Sequence, residues 1–123
     1  MRVLIVGSLG GQLYTATKIA TDRGASVSQV DTIEQATAYL RAGRGADLLM
    51  VDLSLDVQAL IAANEAERIS VPVVACGVNV RPEAAAAAIR AGAKEFIPMP
   101  PDADLIAAVL EAIADDERPM IAR

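Results

Sequence analysis

The chain has 123 residues, 54% of them hydrophobic, which suffices for one domain with one core. Its 11 Lys and Arg against 16 Asp and Glu give a net charge of −5, which argues against direct DNA contact, where a basic footprint supplies most of the affinity. No histidine is present and Cys76 is the single cysteine, excluding imidazole bases, an intramolecular disulfide and a four-ligand zinc site; no metal or other cofactor is expected.

Five β-capable runs alternate with helical patterns. The first strand is predicted at Arg2–Val6. The run Gly7-Ser8-Leu9-Gly10-Gly11 follows, then a helix with Leu13, Ala16, Thr17 and Ala20 on its apolar face. Gly24 ends that helix where a left-handed cap is favoured. Ser26–Val30 alternates in polarity and reads as an edge or near-edge strand. Thr32-Ile33-Glu34-Gln35 reads as a capping box opening the second helix. Its buried stripe is Ile33, Ala36 and Leu40, and Gly43 ends it. Residues 48–51 are continuously apolar, as in a strand buried on both faces, and Asp52 closes the run.

A third helix is predicted over 56–68 with Val57, Leu60 and Ile61 inward, and a valine-rich strand over 71–76. Pro82 opens the fourth helix in a favoured first-turn position, and the helix stops before Gly92. A short strand is predicted over 95–97. The last helix begins after Pro100-Pro101-Asp102, with Leu105, Ile106, Val109, Leu110 and Ile113 in one arc. Asp115-Asp116-Glu117-Arg118-Pro119 ends it. Residues 1–116 are expected to form the domain and 117–123 to begin a linker. No run approaches about 18 uninterrupted apolar residues, so a cytoplasmic domain with no membrane span is expected.

Strict β-α alternation implies a parallel sheet with helices on both faces. Right-handed crossovers leave few topologies. Five strands in this length fit the flavodoxin-like order 2-1-3-4-5, whose ligand crevice lies beyond the carboxyl ends of the first and third strands. Those ends are Gly7-Ser8 and Asp52.

Three segments carry a resemblance. They are Ala46-Asp47-Leu48-Leu49-Met50-Val51-Asp52, then Val71-Pro72-Val73-Val74, then Ala91-Gly92-Ala93-Lys94-Glu95-Phe96-Ile97-Pro98-Met99-Pro100. The chain resembles, over nearly its whole length, the receiver domain of two-component response regulators. The resemblance places the phosphoacceptor at Asp52, the switch aromatic at Phe96 and a cis-proline at Pro100. It also implies two acids for Mg²⁺ after the first strand, a hydroxyl after the fourth, and a lysine before the proline. Gly7 and Ser8, Gly77 and Met99 stand at those positions. Phosphoryl transfer depends on positioning and on charge neutralisation by metal and cations. Asp52 is therefore read as a vestigial acceptor, with no catalytic residue and no metal; Met99 would fill the emptied lysine pocket. A receiver that still accepts phosphate at Asp52 is the alternative.

A narrower resemblance rests on Gly11-Gln12-Leu13, Gly45-Ala46-Asp47, Leu60-Ile61-Ala62-Ala63-Asn64-Glu65-Ala66-Glu67-Arg68 and Ala75-Cys76-Gly77-Val78. These look like the N-terminal domain of FlbD-type flagellar regulators, NtrC-like activators of sigma-54 RNA polymerase. That resemblance implies a non-enzymatic regulatory domain joined to an AAA+ ATPase, with 117–123 leading toward it. It implies control through a regulatory protein, FliX in that family. A homodimer is a further partner, and direct DNA contact is not expected of this domain.

Other features allow other readings. Gly7-Ser8-Leu9-Gly10-Gly11 with Asp31 about 20 residues on mimics a dinucleotide-binding fingerprint, although Leu9 stands where the middle glycine belongs. The fourth helix has one large apolar residue, Ile89, beside the alanines of 84–88. Such a face lets a partner approach closely, and alanine also simply favours helix. Cys76 reads as a small buried hydrophobe.

Overall fold

Leu48, Leu49, Met50 and Val51 have no polar neighbour to turn toward water, and the strand they form is buried at every position. In the computed structural model, which describes residues 1–116, the strands are β1 (Arg2–Val6), β2 (Ser26–Val30), β3 (Leu48–Asp52), β4 (Val73–Val78) and β5 (Glu95–Met99). Between and after them lie α1 (Leu13–Asp22), α2 (Ile33–Arg41), α3 (Val57–Ala66), α4 (Pro82–Ala91) and α5 (Ala103–Asp116). All strand pairs are parallel and the order is β2-β1-β3-β4-β5, the flavodoxin-like receiver arrangement. The expected linker at 117–123 lies outside the described residues. Among the described residues no helix is long and apolar enough to cross a membrane.

Side chains alternate across a strand, so the sheet carries two cores. Val3, Ile5, Leu48, Met50, Val74 and Cys76 pack with α1 and α5 on one face. Leu4, Val6, Leu49, Val51, Val73 and Ala75 pack with α2, α3 and α4 on the other. Each fully buried Leu or Ile contributes about 1.5–3 kcal/mol. The half-exposed β2 is an edge strand, as its alternation implies. The capping box at Thr32 and Gln35 is present with both its bonds.

Several bounds differ from expectation. β3 includes Asp52, which pairs with Cys76 in the ladder. β4 begins two residues later than predicted and runs through Gly77 and Val78, which pair with Pro98 and Met99. Pro72 lacks an N–H and contributes only its carbonyl, which accepts from Leu49 at 2.9 Å. β5 extends to Met99 for the same pairing reason. α3 ends at Ala66, and Arg68 turns to a φ of +58° beyond it.

Candidate functional site

The crevice at the carboxyl edge of β1, β3 and β4 is organised around Asp52, which is 6% exposed. Both oxygens of its carboxylate accept main-chain hydrogen bonds. The Ser54 N–H donates to Oδ1 at 2.9 Å and the Gly10 N–H to Oδ2 at 3.3 Å. Hydrogen bonds to a charged acceptor are stronger than neutral ones, so the loop after β3 and the loop after β1 close on the same side chain.

The Gly10 donor sits on a 3₁₀ turn, Leu9–Gly11, between β1 and α1. Leu9 holds a φ of +54°, which costs a residue with a Cβ of the order of 1–3 kcal/mol. Its side chain is fully buried in the core shared with Met50, Cys76, Ile97 and Met99, a gain of about 1.5–3 kcal/mol that offsets the strain. The turn is thereby pinned over the crevice. A Cβ on Gly10 would lie 2.6 Å from Cγ2 of Val78, so a glycine is needed for this close approach to β4.

The two positions expected for metal-binding acids differ from each other. Gly7 is buried at a φ of +97°, and its N–H donates to Val30 O at 2.8 Å. Ser8 is exposed. Gly77, expected just past the fourth strand, lies within β4, and a Cβ there would run into the side chain of Val80. Met99 is 5% exposed and belongs to the same core as Leu9. The Met99–Pro100 peptide bond is cis. Phe96 is half-buried against the opposite core. The sequence positions Gly7, Ser8, Asp52, Gly77 and Met99 thus converge on the ends of β1, β3, β4 and β5.

Asp31 lies elsewhere. Its Oδ1 accepts from Gln29 Nε2 at 2.9 Å, and its N–H donates to Gln35 at 2.7 Å. The Gly10 N–H, which a phosphate would need in a dinucleotide site, is already directed at Asp52. Cys76 beside Asp52 is a buried thiol pushed up to about 12, first by burial and then by the aspartate's charge, so it stays a thiol near neutrality.

A cleft of about 400 Å³ remains over Asp52, lined also by Gly77, Val78, Val80 and Arg81. Sequence reasoning overlooked Arg81 and the two main-chain donors. A main-chain N–H leaves no side-chain signature; the Gly10-Gly11 pair was the available signal for the turn. Among the described residues no three His, Cys, Asp or Glu side chains gather as metal ligands.

No protein-family model matches the chain. The transcriptional regulatory protein FlbD of Caulobacter vibrioides is 68% identical over all 123 residues, and the chain spans 27% of that protein's length. The receiver domain of NtrX from Brucella abortus is 26% identical, with a TM-score of 0.80 over 92% of this chain and 98% of that one. The receiver domain of the Francisella response regulator 1452 is 15% identical, with a TM-score of 0.76 over 95% of this chain and 98% of that one.

Proposed function

The chain is a response-regulator receiver domain, and from that premise we propose that it controls an attached transcription activator through protein contact, without phosphorylation. The observation that carries this reading is the state of Asp52. Both its oxygens are taken by the Gly10 and Ser54 N–H groups. The residues present do not fit Mg²⁺, which needs several oxygen ligands. Position 7 has no side chain and position 8 offers one exposed hydroxyl. The lysine position is a methionine buried in the core. Without a cation or metal to neutralise a phosphoryl group, an aspartyl phosphate lacks its main stabilisation.

The identity to FlbD supports the rest of the proposal: a cytoplasmic, non-enzymatic regulatory domain of a sigma-54-dependent activator of flagellar genes. Its partners would be an AAA+ domain of the same protein and a FliX-like regulatory protein, with a homodimer as one assembly. DNA contact would belong to other parts of such a regulator. Control of this kind needs two states that differ in partner affinity.

The test is Asp52→Asn in the full-length regulator, read on a sigma-54-dependent reporter with protein abundance measured alongside. Output within about twofold of the parent, at equal abundance, is expected if no phosphate-driven population shift operates. A tenfold or larger loss at equal abundance, on the order of a full switch, overturns the proposal.

A further inference from the structure

Val57, Leu60, Ile61 and Asn64 share one face of α3, at i, i+3, i+4 and i+7. The three apolar members fill the core beneath the sheet. The fourth is an amide that no function above uses. Asn64 is 4% exposed, and neither Oδ1 nor Nδ2 has a hydrogen-bond partner among the described residues. Buried polar side chains are paired in the large majority of cases, so an orphaned amide points to a missing partner.

Asn64 lines a cleft of about 150 Å³, walled by Ile61, Ile69, Val71 and Pro72 near the start of β4. Ile61 and Glu65 also line a groove of about 450 Å³ beside α4, so the two spaces adjoin. Ala62, Ala87 and Ala91 keep that groove shallow-walled and wide. Glu65 stands on the α3 wall and Arg90 on the α4 wall, and neither forms an ion pair among the described residues.

We infer that this α3–α4 groove is a docking site for an extended peptide segment of a partner protein, whose main-chain N–H and C=O pair with the Asn64 amide. The inference rests on the reading of the chain as a protein-contact module. A primary amide offers an acceptor and donors side by side. One peptide unit matches both, because it carries one N–H and one C=O. A carboxylate or phosphate would satisfy only the donor half, and an ammonium only the acceptor half. Walls of opposite charge suit a peptide, which carries both signs along its length, better than a ligand of one sign.

The free chain covers both amide atoms. The incoming segment therefore parts the cleft walls before it pairs with them. The pairing exists only in the bound state, and a ligand shifts an equilibrium only by such a difference.

A phage-displayed library of random peptides, selected on the 123-residue chain, supplies the probe. Selected peptides are expected to shift the Asn64 side-chain NH₂ resonances in ¹⁵N–¹H spectra. Their binding is expected to weaken about tenfold or more in Asn64→Leu, as for a buried anchor at an interface. The Leu variant itself should unfold about 5 °C higher. Ala62→Arg, on the exposed wall, should block the same peptides and leave Asn64 in place if the Leu variant does not fold.

Peptides that bind parent and variants alike overturn the inference, as does a library from which none shifts the Asn64 resonances. So does an Asn64 NH₂ already hydrogen-bonded to water in the free chain. A dimer that Asn64→Leu dissociates would replace the peptide by a second copy and overturn it too. None of these outcomes touches the phosphorylation-independent reading, which fails on Asp52 alone.

Discussion

A Cβ on Gly7 would lie 2.7 Å from the Cβ of Asp52 and 3.1 Å from Cδ1 of Leu55. The position at which the receiver resemblance asks for an acid is thus closed by the aspartate that the acid would assist. A φ of +97° adds backbone strain for any residue but glycine. Gly7→Ala is expected to lower stability by about 2–3 kcal/mol, from strain and overlap together. Urea unfolding checks this: the midpoint should fall while the slope m stays constant. A loss under about 0.5 kcal/mol would mean that the loop after β1 moves aside freely.

Asp52 acts on this reading as a structural acceptor. Asp52→Ala leaves the Gly10 and Ser54 N–H groups without their partner. The expected cost is about 2 kcal/mol, in the range for orphaned buried donors. Asp52→Asn keeps one acceptor oxygen and should cost about 1 kcal/mol. Hydrogen exchange at Gly10 and Ser54 should quicken in the Ala variant more than at any position within β3. Equal stability of the Ala variant and the parent would remove the structural role.

Asn64→Leu reverses the usual direction for a core substitution. Removing an unpaired buried amide is expected to stabilise the chain by about 1–2 kcal/mol. Thermal unfolding by circular dichroism is the measurement. A destabilised variant would mean that the amide has a partner in solution.

At the opposite edge of the sheet, the Arg2 side chain and the Arg2 N–H both bond Asp47, with contacts of 2.7–3.3 Å. The Arg2 side-chain hydrogen bonds, then its main-chain N–H, hold the Asp47 carboxyl below the ordinary 3.8, against a smaller opposing effect of burial. A depressed carboxylate binds fewer protons folded than unfolded, so its contribution is full above the unfolded value. It is lost as pH falls through the lower folded value. Asp47→Asn should therefore cost about 0.5–1 kcal/mol at pH 7, given the exposure of Arg2. The difference from the parent should shrink below pH 4, on the order of the ordinary carboxylate range. Glu67, depressed by Arg41, titrates in the same window, which is why the comparison is between variant and parent.

Much of the fold was legible because periodicity is a physical signal. The continuous run at 48–51 gave a buried central strand, the alternation of Ser26–Val30 an edge, and Thr32 with Gln35 a cap. The bounds of β4 were misplaced because Val71 and Pro72 are as apolar as the strand, and only the ladder to β5 decides where it runs. At the site, the residue types at positions 7, 8, 52, 77 and 99 were readable, but their consequences were not. That Gly7 and Gly77 leave no room for a side chain depends on Asp52 and Val80 from other segments. Leu9 was read as a broken fingerprint, although its burial is what pins the turn over Asp52. Asn64 had a signal, the spacing 57, 60, 61 and 64, but polar residues on helices usually face water and the fourth position was passed over.

The most direct measurement is intact mass after incubating the chain with acetyl phosphate and Mg²⁺, with Asp52→Asn in parallel. A phosphorylation-independent domain should keep its unmodified mass in both samples. A stoichiometric phosphate adduct on the parent, absent from the Asn variant, would contradict it.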